Sequence, residues 1–358
     1  MTGPSMLSGP GVPVGPPPAG PNRRRRRTDR MTSTWLVVAV ALGAIGLSTR
    51  SVLPQPLWTM VHVITLGVLT NAILQWSWYF TRTLLRLPED DRRAGRDAVI
   101  RVVAFNIALV GLFAAMWAGS AIGASVLATA VGLVIAWHGL AILRAARTRF
   151  ASRFAVVTRF YVTAAAFLVI GCALAGLLAV AMFDPASPQW LVDARDRLTL
   201  AHSIVNVGGW IGLSIAGTVV TLGPTMLRTR IVPDAVPRAV QALPWMAGGV
   251  ALAATSAAAG WLPGIGVGLL AFAVAVVPGV ILALVRTALV KSPGTYATWT
   301  MTAGLTWVVI AVSALAIDAF VAPDATALRV ANLPWVAVLG VGGVGQVFIG
   351  ALTYLLPV

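Results

Sequence analysis

The chain has 358 residues, 58% of them hydrophobic and only 10% charged, with a mean hydropathy of +0.87. Soluble domains carry roughly 25% charged residues, so this chain cannot cover itself with polar surface and reads as an integral membrane protein. The formal net charge is +15, but the arginines stand in short segments between apolar runs. That is the pattern of membrane orientation and argues against nucleic-acid binding.

Residues 1–31 form a separate segment. MTGPSMLSGPGVPVGPPPAGPN is rich in Pro and Gly and nearly free of large apolar residues, so it is expected to be disordered. Arg23 to Arg27 and Arg30 follow, making a polybasic lead into the first apolar run. A signal peptide has the same outline, but the run from Thr34 to Thr49 lacks a small-residue cleavage site and another span follows at once. An uncleaved first helix with its N-terminus inside is the expectation. Met6 and Met31 are alternative starts.

From there, apolar runs of spanning length recur. Helices are expected near 32–49, 57–80, 98–118, 120–142, 155–182, 198–226, 239–259, 264–285, 298–320 and 334–358. The loop charges test that count. With the N-terminus inside, the inner segments collect 22 of the 26 basic residues, and the outer side keeps Arg50, Arg195, Arg197 and Arg329. A wrong count would scramble this alternation. The fold class is therefore all-α: a polytopic transmembrane bundle of about ten helices over residues 32–358, both ends inside, in the cell membrane with lipid as its first partner. The longest outer connection is DPASPQWLVDARDR, with Asp184, Asp193 and Asp196. Trp58, Trp190 and Trp335 on the outer side, and Trp76, Trp78 and Trp299 nearer the inner side, read as interfacial anchors.

Two helices share a pattern. Gly209, Gly212, Gly217 and Pro224 of the sixth are spaced like Gly342, Gly345, Gly350 and Pro357 of the tenth. Such glycines let backbones approach closely. Ordinary packing accounts for this, and so does an old duplication of a cofactor-facing helix. Trp335 stands where the sixth helix has His202, so a duplicated site would be asymmetric.

Chemistry is sparse. The chain has three histidines. His62 and His202 lie about one turn inside two apolar runs that enter the membrane from the same side, and an imidazole in hydrocarbon needs a partner. Matched depth points to a shared one: a haem iron, a copper, or each other. Asn206 follows His202 by one turn, and Gly209 by two, on the same helix face. That face offers a ligand, a polar group to hold it, and a gap against which a flat macrocycle packs. Structural bonding of His202 and Asn206 to neighbouring helices is the plainer alternative. His138 is expected near the inner interface, where water satisfies it. Arg101 and Arg159 stand near inner helix ends, from which their side chains reach the interface, and Asp318 stands near an outer end. No buried Asp, Glu or Lys relay appears, which argues against a proton pump or cation antiporter. No Walker, HExxH, GxSxG or Rossmann motif stands in a fitting context. The single cysteine, Cys172, lies in an apolar run, so no disulfide framework forms within one copy.

The stretches HVITLGVLTNAILQWSWYFTRTLLR, AHSIVNVGGWIGLSIAGTVVTLGPTMLRTR and GQVFIGALTYLLPV resemble the N-terminal membrane half of actinobacterial multicopper-oxidase-domain proteins, in which cupredoxin domains of the copper nitrite reductase type follow. The sixth helix is more distantly similar to the His-bearing, glycine-rich helix of nitric-oxide-response membrane proteins, which are associated with haem and copper. The likeness spans most of 32–358. It implies a redox module with His62 and His202 as metal ligands and Asn206 and Gly209 beside the cofactor, haem b or copper. It also implies electron transfer to or from an outer cupredoxin-type copper protein. The departures are plain. No cupredoxin domain is present, and the chain stops at Leu-Leu-Pro-Val in mid-pattern, as a truncated or split version would. No catalytic site is complete. Haem–copper oxidases need further histidines on helices seven and ten, which this chain lacks. A permease-like transporter without metal, or a structural membrane anchor for a partner, are the alternatives.

Overall fold

The computed structural model describes residues 33–45, 54–87, 96–147, 155–290 and 294–355. The Pro/Gly-rich and polybasic segment 1–31, Arg50, most of the second inner loop and Pro357 lie outside the described residues. Among the described residues the regular structure is all helix: α1 (Ser33–Ile45), α2 (Pro56–Leu84), α3 (Arg96–Trp117), α4 (Ala121–Arg147), α5 (Ala155–Phe183), α6 (Arg195–Met226), α7 (Ala235–Ala259), α8 (Leu262–Leu289), α9 (Tyr296–Val321) and α10 (Ala325–Leu355), with one short helix, Gln189–Asp193, in the connection between α5 and α6. All but α1 are long and apolar enough to cross a membrane. The described part of α1 has 13 residues, short of the expected run to Thr49. The last helix begins nine residues earlier than the apolar pattern suggests, because Asp324 caps it by accepting from Ala327 N at 2.8 Å. A left-handed glycine turns the chain after α3 (Gly119, φ 64°) and after α7 (Gly260, φ 77°).

The helices alternate in direction, and contacts at each end confirm it. Trp117 at the end of α3 donates to Thr59 at the start of α2, at 2.9 Å. Arg329 and Asp196, at the starts of α10 and α6, lie 3.8 Å apart. At the opposite end Tyr354 of α10 donates to the Thr225 carbonyl of α6 at 3.2 Å. Thus α6 and α10 run the same way; α2 runs with them, since His62 and Thr70 of α2 lie beside His202 and Trp210 of α6 in that order, and the three starts share one face of the bundle with Arg195, Arg197 and Arg329.

These three helices share a second property. Each contains an eight-residue stretch of wide π-type turns: Val63–Thr70, Val205–Gly212 and Val338–Gly345. A fourth, shorter stretch widens α8 at Val277–Ile281. The fifth residue of each eight-residue stretch is a glycine: Gly67, Gly209 and Gly342. Each glycine is covered by an aromatic ring from the preceding helix: Trp35 of α1, Phe167 of α5 and Trp307 of α9. A methyl at Gly67 or Gly209 would meet its ring at under ordinary contact distance. So α1–α2, α5–α6 and α9–α10 are three copies of one packing unit. The sequence likeness between α6 and α10 is its most visible trace.

Polar groups stitch the first unit to α3. Asn71 and Asn106 exchange amide hydrogen bonds at 3.1 and 2.8 Å, and Trp35 donates to Asn106 Oδ1 at 2.6 Å. Buried amides that satisfy one another avoid the cost of an unpaired polar group in hydrocarbon.

Candidate metal centre

His62 and His202 meet. Their ring centres are 6.2 Å apart and their planes are inclined by 29°. The matched depth read from the sequence arises because α2 and α6 run side by side in one direction. Trp210 of α6 donates to Thr70 of α2 at 3.0 Å, two turns further in, and holds the pair in register. Thr70 in turn donates to the carbonyl of Thr65, five residues back, at 2.8 Å. An ordinary helix presents the carbonyl four residues back, so this bond belongs to the wide turn.

Both imidazoles are held from behind. His62 Nδ1 lies 2.8 Å from the Trp58 carbonyl, and His202 Nδ1 lies 2.9 Å from the Gly171 carbonyl of α5. A carbonyl only accepts, so each Nδ1 carries a proton, and in the neutral ring Nε2 then keeps its lone pair. Two lone pairs cannot bond to each other. The Trp58 indole also stacks on His62, with ring centres 4.2 Å apart and planes inclined by 19°. This tryptophan is therefore a wall of the site and not only an interfacial anchor.

The pair lines a cavity of about 420 Å³ enclosed by α2, α3, α4, α5 and α6. That size is typical of ligand pockets. Most of its wall is aliphatic. Asn206, Thr65, Thr70, Trp210 and the buried thiol of Cys172 are among its polar lining residues. Leu57, Val61, Thr199 and Ser203, all exposed, form its rim beside the starts of α2 and α6.

Of the four residues singled out from sequence, three face this cavity: His62, His202 and Asn206. Asn206 Nδ2 lies 3.3 and 3.1 Å from the two nitrogens of His202. Gly209 does not line the cavity; the Phe167 ring occupies the space that the sequence reading reserved for a macrocycle. Trp58, Gly171 and Trp210 were missed. Trp58 stands one turn before His62, and that spacing was available as a signal. Gly171 comes from another helix, and nothing in the sequence links it to His202.

His138 stands apart, and it is not at a wet interface. It is 2% exposed and hydrogen-bonded through Nε2 to Ser77 at 2.9 Å. Its neighbour Arg101 does not reach the interface either. Arg101 is 2% exposed, and its guanidinium lies over the rings of Trp78 and Trp137 at 4.7 and 5.6 Å. Cation–π contact replaces the water that the shorter path to the interface would have supplied. Arg159 is exposed as expected.

Among the described residues no three His, Cys, Asp or Glu side chains converge as a metal site would require. A metal at the histidine pair would have two protein ligands there. Imidazole–metal bonds of about 2.0–2.1 Å, with roughly 1.1 Å from nitrogen to ring centre, put two opposed rings about 6.3 Å apart. The observed 6.2 Å matches that spacing, and it also lies within the range of an offset ring contact. Comparison with known proteins adds no relative: no family matches the chain, and neither curated proteins nor solved structures show a significant likeness.

Proposed function

We propose that this chain is a membrane redox module that holds haem b, or else copper, between His62 and His202. One observation carries the reading: two imidazoles share a cavity, both with Nδ1 tied to a carbonyl and neither with Nε2 bound to a backbone group, at a spacing that two ligands on one metal would have. Ligand histidines are typically fixed in this way by an acceptor on the other nitrogen. The size and apolar wall of the cavity favour haem over a bare ion, since an ion needs no 420 Å³ of space. When bound, the group supplies one-electron chemistry. The chain's own part is to fix both imidazoles, to keep water from all but the rim, and to place the site beside one membrane face. Following the family resemblance, an outer cupredoxin-type copper protein is the proposed electron partner, and the rim at Leu57, Val61, Thr199 and Ser203 is on the face it would approach.

The test is the absorption spectrum and metal content of protein purified in detergent from cells supplied with haem and copper. A haem spectrum at one haem per chain, or stoichiometric copper, supports the reading. If the protein holds neither, the redox reading fails and a metal-free permease with a substrate in the same cavity takes its place.

A further inference from the structure

We propose that Gly171 on α5 is a positioning residue for His202, acting together with Asn206. The proposal rests on the reading of His202 as a ligand.

The two histidines are oriented by different means. The acceptor for His62 is the carbonyl of Trp58, one turn back in the same helix, so that ring follows α2 wherever it goes. The acceptor for His202 is Gly171, on the neighbouring helix. The tautomer and rotation of His202 therefore depend on how α5 is seated against α6.

Gly171 contributes its missing side chain as well as its carbonyl. The carboxamide of Asn206 lies against its α-carbon, where a methyl would overlap Oδ1. That oxygen is buried and has no hydrogen-bond partner, so its place is set by fit alone. The amide nitrogen is nearly equidistant from both nitrogens of His202, at 3.3 and 3.1 Å. An atom so placed lies over the ring face and not along the lone pair of either nitrogen. Asn206 thus limits ring rotation without taking up the in-plane lone pair of Nε2. Gly171, Asn206 and His202 make one unit: the carbonyl fixes the proton, the amide fixes the plane, and the bare α-carbon admits the amide.

A glycine that served only helix packing would affect stability and leave the imidazole unchanged. Nitrogen-15 NMR of histidine-labelled protein, with metal removed and with metal bound, separates the two roles. In the wild type, both His62 and His202 should show the Nδ1–H tautomer. Gly171→Ala should move the His202 ring resonances toward a tautomer mixture, leave those of His62 in place, and lower haem retention about tenfold or more. Adding Asn206→Ala removes the overlap and should restore the Nδ1–H signature of His202. The proposal is overturned if Gly171→Ala leaves the His202 resonances unmoved, or if the double variant fails to restore them in folded protein. Should Gly171→Ala not fold, Asn206→Ala alone decides: retention falls with the tautomer kept, whereas a changed tautomer overturns the proposal. If the wild type binds neither haem nor copper, the ligand reading falls, and the resonances still decide whether Gly171 sets the ring.

Discussion

Trp210 donates its indole N–H to the hydroxyl of Thr70 at 3.0 Å, and this bond ties the wide turn of α6 to the wide turn of α2. Both residues are buried, at 2% and 0% exposure, and both border the cavity that holds the histidines. Thr70→Val keeps the shape and strands the indole N–H. Leaving a buried donor unpaired costs about 1–3 kcal/mol, so we expect Thr70→Val to lower the detergent melting temperature. In a double-mutant cycle with Trp210→Phe the two effects should be clearly non-additive. Independent, additive effects would show that the bond does not hold the helices in register.

The histidines give the most direct functional prediction. Leucine has no lone pair but is at home in a bilayer. His62→Leu and His202→Leu should each abolish cofactor absorbance while the protein stays folded. His138→Leu should keep the absorbance, because His138 bonds Ser77 in a separate cluster. Its cost should appear in stability, since Ser77 loses a buried partner. Loss of absorbance in all three variants alike would point to a general folding defect and not to ligation.

Aromatic cover of the wide turns predicts a graded response to bulk. Gly67→Leu and Gly209→Leu must displace Trp35 and Phe167. Overpacking of this kind typically costs about 1–3 kcal/mol. Gly248→Leu, where no atom lies within 4 Å of the added carbon, should cost little. Thermal unfolding in detergent reads the difference. Rescue of Gly209→Leu by Phe167→Ala would locate the strain in that one contact.

Orientation follows from the arginines. If the charge-rich end of the bundle faces the cytoplasm, a cysteine placed at Ser187, in the turn after α5, should react with an impermeant maleimide on intact cells. One placed at Ala94, just before α3, should react only after lysis. These labelling tests are best made in a Cys172→Ser background, although Cys172 is itself buried. The opposite labelling pattern would invert the protein and move the histidine pair to the inner face.

Much of this architecture is legible without coordinates. Hydrocarbon forces long apolar runs into helices, and the asymmetric charge of the loops fixes their alternation. Together these determine the helix count, the parallel course of α2 and α6, and hence the equal depth of His62 and His202. Tertiary structure alone decided the lateral relations. Apolar helices carry almost no signal for which face meets which neighbour, because lipid and protein present the same chemistry to a leucine. Whether Arg101 reached water or two indoles, whether Trp58 faced lipid or an imidazole, and whether Gly209 opened a gap or received Phe167 depended on helix rotation. The same holds for Gly171, whose carbonyl sets the His202 proton from a different helix. Depth in the membrane is written along the chain through hydrophobicity and charge; direction around each helix axis is settled by packing between residues far apart in sequence.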